Sequence, residues 1–317
     1  SGVRSQESGV RSQESGVRRK NLKKTVIVPP IKCQGIKTKL VGEILELVKS
    51  EKFDRWVEPF CGSGVVAFNL RPKKALLRDS NQHIIRFYNE IKSRQITASI
   101  AREFLTENGE RLRQRGKDYY YEVRERFNEN PNSLDFLFLN RSCFNGVMRF
   151  NKRGKFNVPY CKKDERFARA YVTKIVNQIG TIDTIIHEND WTFETADFRD
   201  TFSLIKETDM LYLDPPYAGR HVDYYNSWSE KDEEDLIIEL KKFTGKFIFS
   251  TWQGNEFRTN PFIEKYWTSL EFTVHTRQHF YHVGSTEDLR HPMTEALVTN
   301  FPVIPSIERK LSLEILS

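Results

Sequence analysis

Four cysteines in 317 residues, Cys33, Cys61, Cys143 and Cys161, lie far apart and form no Cys-x-x-Cys pair. That scarcity excludes a disulfide framework and a structural zinc module, and it fits a reducing, cytosolic setting. Also missing is any apolar run near the roughly 20 residues that cross a bilayer, and no signal-peptide pattern is read, so no membrane partner is expected. Charge is thin where it would be informative. Of the net +7, residues 1–24 supply +5, with seven basic residues against Glu7 and Glu14, which leaves the body at +2. Overall basicity therefore says little about nucleic acid, and the distribution of charge has to carry that question. His275, His279 and His282 crowd into "HTRQHFYH", but no acidic ligand accompanies them, and no metal is expected.

What is present begins with a repeat, "SGVRSQE SGVRSQE SGVR". Polar and without aromatics, residues 1–24 lack the apolar surface that would offset the entropy of ordering and are expected to be disordered. One Val per heptad beside Gly and Ser cannot make a coiled-coil seam. Seven codons are also three passes through a seven-nucleotide word, and TCAGGAG read continuously encodes Ser-Gly-Val-Arg-Ser-Gln-Glu. The tail is thus expected to be a translated DNA tandem repeat whose slippage would switch expression in phase. A vector-derived extension is the alternative, and synonymous codons that break the heptamer would exclude slippage.

The body alternates strands and helices. "TVIV" reads as a short strand, and an amphipathic helix follows from about Lys39 with Leu40, Ile44, Leu45, Leu47 and Val48 inward. "RWVEPFCGSGVVAFNL" and "KALLRDSNQHIIRFYNEIKS" are each strand, turn and helix. "MLYLDPPY", a charged helix near residues 230–243, and the strands "KFIFST" and "EALVTNF" complete the pattern. The reading is an α/β, Rossmann-like sheet with helices on both faces, formed by residues 25–85 and 188–317. Residues 86–187 differ in texture: a mainly helical insertion with a β-hairpin in "VMRFNKRGKFNVPY" around Lys-Arg-Gly.

In open α/β sheets ligands lie beyond the carboxyl ends of strands, where "EPFCGSG", Asp79 and "DPPY" all fall. Gly62 and Gly64 allow close backbone approach, and Asp79 suits ribose hydroxyls. An exposed Asp beside an ordinary glycine turn would look the same. "DPPY" is sharper. The lone pair of a nucleobase amine is delocalised into its ring. The carboxylate of Asp214 and the carbonyl of Pro215 can accept its two N–H bonds, aim the lone pair at an electrophile and stabilise the charge that develops. Pro215 and Pro216 fix that geometry, and Tyr217 offers a face for a base that has left its helix.

These motifs resemble those of the Dam-like, alpha-class (D12) adenine-N6 DNA methyltransferases. The order "QGIK", "EPFCGSG", insertion, "DPPY" is that family's, and the likeness covers most of residues 25–301. Within it, "PPIKCQGIKTKL", "FLFLNRSCFNG", "FNVPYCKK" and "GRHVDYYNSW" resemble the EcoRV-type modification methyltransferases. The resemblance implies that Lys37 and the motif carrying Glu58, Phe60, Gly62 and Gly64 bind S-adenosylmethionine, which leaves as S-adenosylhomocysteine. It further implies that Asp79 holds the ribose and that Asp197 and Phe198 cradle the adenine of the cofactor, with Asp214 also at that site. Cys33 departs from the family, which usually carries an aromatic there.

For double-stranded DNA, the resemblance implies that Lys32 and Arg149 meet base edges, which suits a guanidinium fork on guanine. It implies that Phe144 intercalates and that Asn145 meets the orphaned base. Residues 149–174 carry nine Lys/Arg against Asp164 and Glu165, including Lys152, Arg153 and Lys155 on the hairpin. Such a run is a phosphate footprint, and the interleaved Phe150, Phe156 and Tyr160 favour that over a solvated face. Cys61 has no base beside it to make it a nucleophile, and the acidic run "SEKDEEDL" reads as an exposed helix face.

The implied activity is methylation of N6 in a flipped adenine within a short palindrome containing GAT, GATATC before GATC. The setting would be bacterial or phage cytoplasm, with a cognate restriction endonuclease as a separate partner. Two other readings stand beside it: an amine-directed methyltransferase on RNA or protein, and a DNA-binding regulator with decayed catalysis.

Overall fold

Seven strands among the described residues form a single sheet in the order β3-β2-β1-β4-β5-β7-β6. They are β1 (Arg55–Glu58), β2 (Lys74–Asp79), β3 (Asp190–Thr195), β4 (Asp209–Leu213), β5 (Lys246–Gly254), β6 (Thr273–Phe280) and β7 (Pro292–Thr299). The structure is a computed structural model that describes residues 25–35, 37–217, 225, 227–254, 259–280 and 292–302. The repeat tail, Ile36, most of "GRHVDYYNSW" and His282 lie outside them.

β1 pairs in parallel with both β2 and β4, β2 with β3, and β4 with β5. β7 is antiparallel to β5 and β6. The strand order reverses between β1 and β4, so the crevice of this Rossmann-like sheet opens where "EPFCGSG" and "DPPY" leave their strands.

Both faces are apolar, as a covered parallel sheet requires. Alternation sends Trp56, Leu77, Tyr212, Ile248 and Leu297 to one core, and Val57, Leu76, Leu211, Leu213, Phe247, Phe249 and Val298 to the other. The first core takes α1 (Val41–Val48), α2 (Val65–Leu70) and α3 (Gln82–Lys92). The second takes α9 (Glu230–Lys242) through Leu236, Ile237 and Leu240, and α10 (Pro261–Tyr266) through Ile263. α8 (Phe198–Thr201) lies between β3 and β4 in the chain.

The insertion is α4 (Ala98–Arg115), α5 (Lys117–Glu129), α6 (Ser133–Ser142) and α7 (Arg169–His187). It is continuous with the first core through Leu105, Tyr119, Phe136, Phe138 and Ile179. Its ends are chemically marked: the side chains of Thr97 and Asn132 accept N–H bonds at the starts of α4 and α6. Gly109 sits inside α4 because a Cβ there would lie 2.5 Å from Phe167 Cβ. Helix propensity alone favours Ala over Gly by about 1 kcal/mol. Gly109→Ala is nevertheless expected to lower the melting temperature, since the clash is with a ring root that the chain holds rigidly. An unchanged or higher Tm in a thermal melt would show that the helices part at little cost.

Three expectations are corrected, and the hairpin around Lys-Arg-Gly is found. Residues 25–28 form no strand: Ile27 exchanges both backbone bonds with the Asn69 amide, N–H to Oδ1 and Nδ2 to O, each at 2.9 Å, so a side chain replaces the neighbouring strand. The α/β pattern resumes at β3, before "MLYLDPPY", as an edge strand with only Trp191 and Phe193 well buried. The hairpin is minimal, with one bridge, Phe150 to Phe156, and a turn closed by Gly154 N–H to Asn151 O at 2.8 Å. Its aromatics face inward: Phe150 and Phe156 are buried, the first against His83 and the second against Phe127. They anchor the hairpin rather than interleave its charges.

Candidate active site

The glycine turn after β1 is held to the end of β2. Cys61 N–H donates to Arg78 O at 2.8 Å, and Gly62 N–H donates to Asp79 Oδ2 at 2.8 Å. Asp79 Oδ1 accepts from Asn81 N–H at 2.9 Å, ahead of α3, where the Asn81 side chain is the cap. Gly62 and Gly64 have φ of +49° and +72°, the left-handed region that disfavours side chains. Burial raises the Asp79 pKa, and the N–H bonds from Asn81 and Gly62 oppose that shift. Each carboxylate oxygen accepts from one backbone donor and keeps lone-pair capacity for a further one, which is the acceptor pair that the two hydroxyls of a vicinal diol need. A ribose-bearing cofactor fits here.

Across the crevice, "DPPY" follows β4, and two other parts of the chain meet it. Lys37, from the loop before α1, donates Nζ to Tyr217 Oη at 2.8 Å and to Glu295 Oε1 at 3.0 Å, and lies 3.4 Å from Asp214 Oδ1. Lys37 is 5% exposed and Glu295, on β7, 3%, whereas Asp214 is 21% exposed. Burial works against the Lys37 ammonium, but Asp214, Tyr217 and Glu295 outweigh it and hold its pKa well above the usual lysine range. Burial also pushes Asp214 up to about 6, with Lys37 pulling down and Glu295 pushing up.

Glu58 is interior, accepts Trp56 Nε1–H at 2.7 Å, and is pushed up to about 8 by burial and the charge of Asp214. Burial drives the Tyr212 phenol up as well, and its hydroxyl has no hydrogen-bond partner among the described residues. Cys61 is buried and its thiol is pushed well up, first by burial and then by Asp79, which suits packing rather than attack.

A second wall comes from the end of β3. Ala196 N–H donates to Asp79 O at 3.1 Å, which ties the segment that leads into Asp197 and Phe198 to the end of β2. Phe198 is buried in a ring trio with Phe60 and Trp228, centroids 5.2–5.5 Å apart, and Phe60 keeps the exposed edge. Asp197 caps α8 and pairs with Arg199, which also reaches Asp232 and Asp235 on α9. The acidic run is therefore not simply a solvated face. Glu233 turns inward, accepts Trp228 Nε1–H at 2.6 Å and is pushed up to about 7 by burial.

On the insertion side, Phe144 is 52% exposed, and Asn145 follows in a left-handed turn with φ of +54°. Arg149, Lys152, Arg153 and Lys155 are exposed, with Arg149 steadied by Asn157 Oδ1 at 2.9 Å. Lys32 is half-buried, its backbone clamped by the Asn140 amide at 2.8 Å in both directions. Its pKa is lowered by burial and by Arg141 and Arg166, which converge on Tyr171. Asn81 Nδ2 donates to Met148 Sδ at 3.1 Å, which ties the hairpin stem to the Asp79 turn.

The sequence reading missed Glu295, Trp228 and Arg199. For Glu295 a signal existed: it shares a strand face with buried Leu297, and an inward carboxylate implies a partner. Of the three histidines, His275 alone has a described side chain, 3.5 Å from Thr299 Oγ1. No helix among the described residues is long and apolar enough to cross a membrane.

Comparison with known proteins adds a family. The description D12 class N6 adenine-specific DNA methyltransferase matches residues 34–283. The chain is 29% identical over 244 residues to the type II methyltransferase M.MjaIII of Methanocaldococcus jannaschii, covering 69% of this chain and 80% of that protein. To the type II methyltransferase M1.LlaDCHI of Lactococcus lactis it is 27% identical over 289 residues, covering 86% and 95%. To the DNA adenine methylase of Vibrio cholerae it is 29% identical over 228 residues, covering 68% and 76%.

Proposed function

The chain belongs to the D12 class of N6 adenine-specific DNA methyltransferases, and from that premise we propose that it methylates an adenine flipped out of a short palindrome containing GAT. GATATC is the first candidate and GATC the second. The observation that carries the reading is the junction at the switch point, where Lys37, Tyr217 and Glu295 enclose Asp214 while Asp79 stands at the opposite turn.

The donor is S-adenosylmethionine, which when bound supplies a methyl group on a positively charged sulfur. Asp79 would hold its ribose diol, Phe60 and Phe198 its adenine, and the Gly62–Gly64 turn its backbone approach. Asp214 and the Pro215 carbonyl accept the two N–H bonds of the target amine, which turns its lone pair out of conjugation and toward the methyl carbon. Methyl transfer to N6, with the sulfur leaving as a neutral thioether, would place positive charge on N6, relieved when N6 gives a proton to the Asp214 carboxylate and through it to solvent. Asp214 faces that charge throughout. Tyr217 stacks on the flipped base, and Phe144 fills the gap it leaves.

Residues 25–85 and 188–317 would form the catalytic part and residues 86–187 the target-recognition part, with a cognate endonuclease acting separately. Arg149 reads a guanine edge, and Lys152, Arg153 and Lys155 track phosphates. Arg149→Ala is expected to lower the specific-to-nonspecific binding ratio by about 10-fold or more, consistent with about 1–3 kcal/mol per bidentate contact. Lys152→Ala should instead weaken all duplexes alike and flatten the salt dependence, as read by fluorescence anisotropy across ionic strengths.

The test of the whole reading is transfer from labelled S-adenosylmethionine to duplexes containing GATATC, GATC or neither, with N6-methyladenine identified in the product. Transfer to GATATC alone supports chemistry and target together. Transfer to GATC as well keeps the chemistry and widens the target. No transfer by folded, cofactor-binding protein would overturn it.

A further inference from the structure

The acidic run at the start of α9 does more than face solvent. Its first turns hold two rings of the wall that Phe60 and Phe198 form. On one side, Asp232 and Asp235 take the Arg199 guanidinium at 2.6 and 2.8 Å, and that group lies 4.4 Å from the centroid of the Phe198 ring. On the inner side, Glu233 accepts Trp228 Nε1–H at 2.6 Å. The indole stands edge-on to Phe60, with centroids 5.5 Å apart and planes at 81°, and lies 5.2 Å from Phe198. Trp228 and Glu233 are both buried.

The spacing makes a carboxyl here unusual. Ser229 caps α9, its hydroxyl accepting from Asp232 N–H at 3.1 Å, so Trp228 is the residue before the cap and Glu233 the fourth of the helix. Those two positions ordinarily carry an apolar pair that staples the incoming chain to the helix. A leucine in place of Glu233 would serve that purpose and avoid the cost of burying a carboxyl. Burial does work against the charged form of Glu233. What the carboxyl adds over leucine is direction. An apolar staple leaves the indole free to turn about its side-chain bonds, whereas an acceptor 2.6 Å from Nε1 selects one orientation of the ring plane.

We infer that Glu233 is a positioning residue for the cofactor: its carboxyl holds the Trp228 indole so that the Phe60–Phe198 wall is shaped before the adenine enters. This rests on the function proposed above, in which those two rings hold the adenine of S-adenosylmethionine. A wall already shaped leaves less to be ordered on binding, so the effect of Glu233 falls on cofactor affinity. Asp214 follows β4 and the exposed cations lie between α6 and α7, so neither the reacting centre nor the duplex surface depends on this contact directly.

The experiment is Glu233→Leu in the full chain, with Glu233→Gln as the rescue variant and Trp228→Phe as its partner. Affinity for S-adenosylhomocysteine is read by titration calorimetry, which needs no turnover. Glu233→Leu should raise that Kd, and the KM for S-adenosylmethionine, by about 10-fold, the weight of one buried hydrogen bond. Its kcat at saturating cofactor should stay within about twofold of the wild type, a loss confined to KM. Its Tm should equal or exceed that of the wild type, because leucine completes the apolar staple. Glu233→Gln keeps an acceptor oxygen and should recover most of the affinity. In a Trp228→Phe background, which lacks the donor, Glu233→Leu should add no further loss.

A purely structural role would lower Tm and affinity together, or give additive losses in the double variant, and either result overturns the inference. An unchanged Kd in Glu233→Leu, with normal methylation by the wild type, sinks only the role of Glu233. Lost cofactor affinity in Glu233→Leu supports the inference even if the wild type methylates no duplex, a result that would count against the proposed activity alone. Failure of the folded wild type to bind S-adenosylhomocysteine would overturn both.

Discussion

Replacing Asp214 with alanine is expected to reduce methyl transfer by about 10²–10³-fold or more while duplex affinity changes little. The two readouts separate because the elements differ. Asp214 stands at the sheet crevice after β4, whereas the exposed cations and Phe144 belong to the segment between α6 and α7. What is lost is an acceptor aimed at the place where positive charge develops, and the Pro215 carbonyl alone cannot bind both amine hydrogens.

Asp214→Asn keeps the shape and one acceptor oxygen but turns the other position into a donor facing N–H, so it too should fail. The wild-type pH profile carries the same signature. With Asp214 pushed up to about 6 by burial, kcat/KM should fall as pH drops through that value, because the protonated carboxyl has lost acceptor capacity. Single-turnover transfer and gel-shift affinity, measured side by side, decide the point. Equal loss of both in Asp214→Ala would mean that the residue holds the fold or the DNA rather than the reaction.

The parts of this site that were legible in the chain were the local ones. "EPFCGSG" and Asp79 begin on the last residues of β1 and β2, "DPPY" directly follows β4, and these strands do run side by side. Glu295 was out of reach of such reasoning because it arrives on an antiparallel strand 78 residues after Tyr217. Period-two alternation would have put it on the inward face with Leu297, but not named Lys37 as its partner.

The hairpin shows the reverse error. Rings among cations read alike whether they face DNA or core, and the same alternation separates them: Phe150, Phe156, Val158 and Tyr160 are buried while Arg149, Lys155 and Pro159 are exposed. "TVIV" failed for another reason. β propensity needs a neighbour to pair with, and here the partner is the single amide of Asn69.

Lys37→Met should unfold at a distinctly lower temperature than the wild type in the absence of any ligand. Lys37 is buried between carboxylates at 3.0 and 3.4 Å, and deleting one member of a buried ion cluster costs about 3–5 kcal/mol because the remaining charges lose their compensation. The sign of the pH dependence distinguishes this from lost packing. In the variant Asp214 loses the Lys37 charge that pulls its pKa down, so its folded-state pKa rises further above the unfolded value near 4. The penalty is present in full above that raised value and shrinks as pH falls through it, since Asp214 takes up a proton and stops repelling Glu295. The Tm deficit of Lys37→Met should therefore be largest near pH 8 and narrow towards pH 5. A deficit that stays constant across that range would assign the loss to packing of the lysine stem. No deficit at all would mean that the cluster is solvated enough to dispense with the Lys37 ammonium.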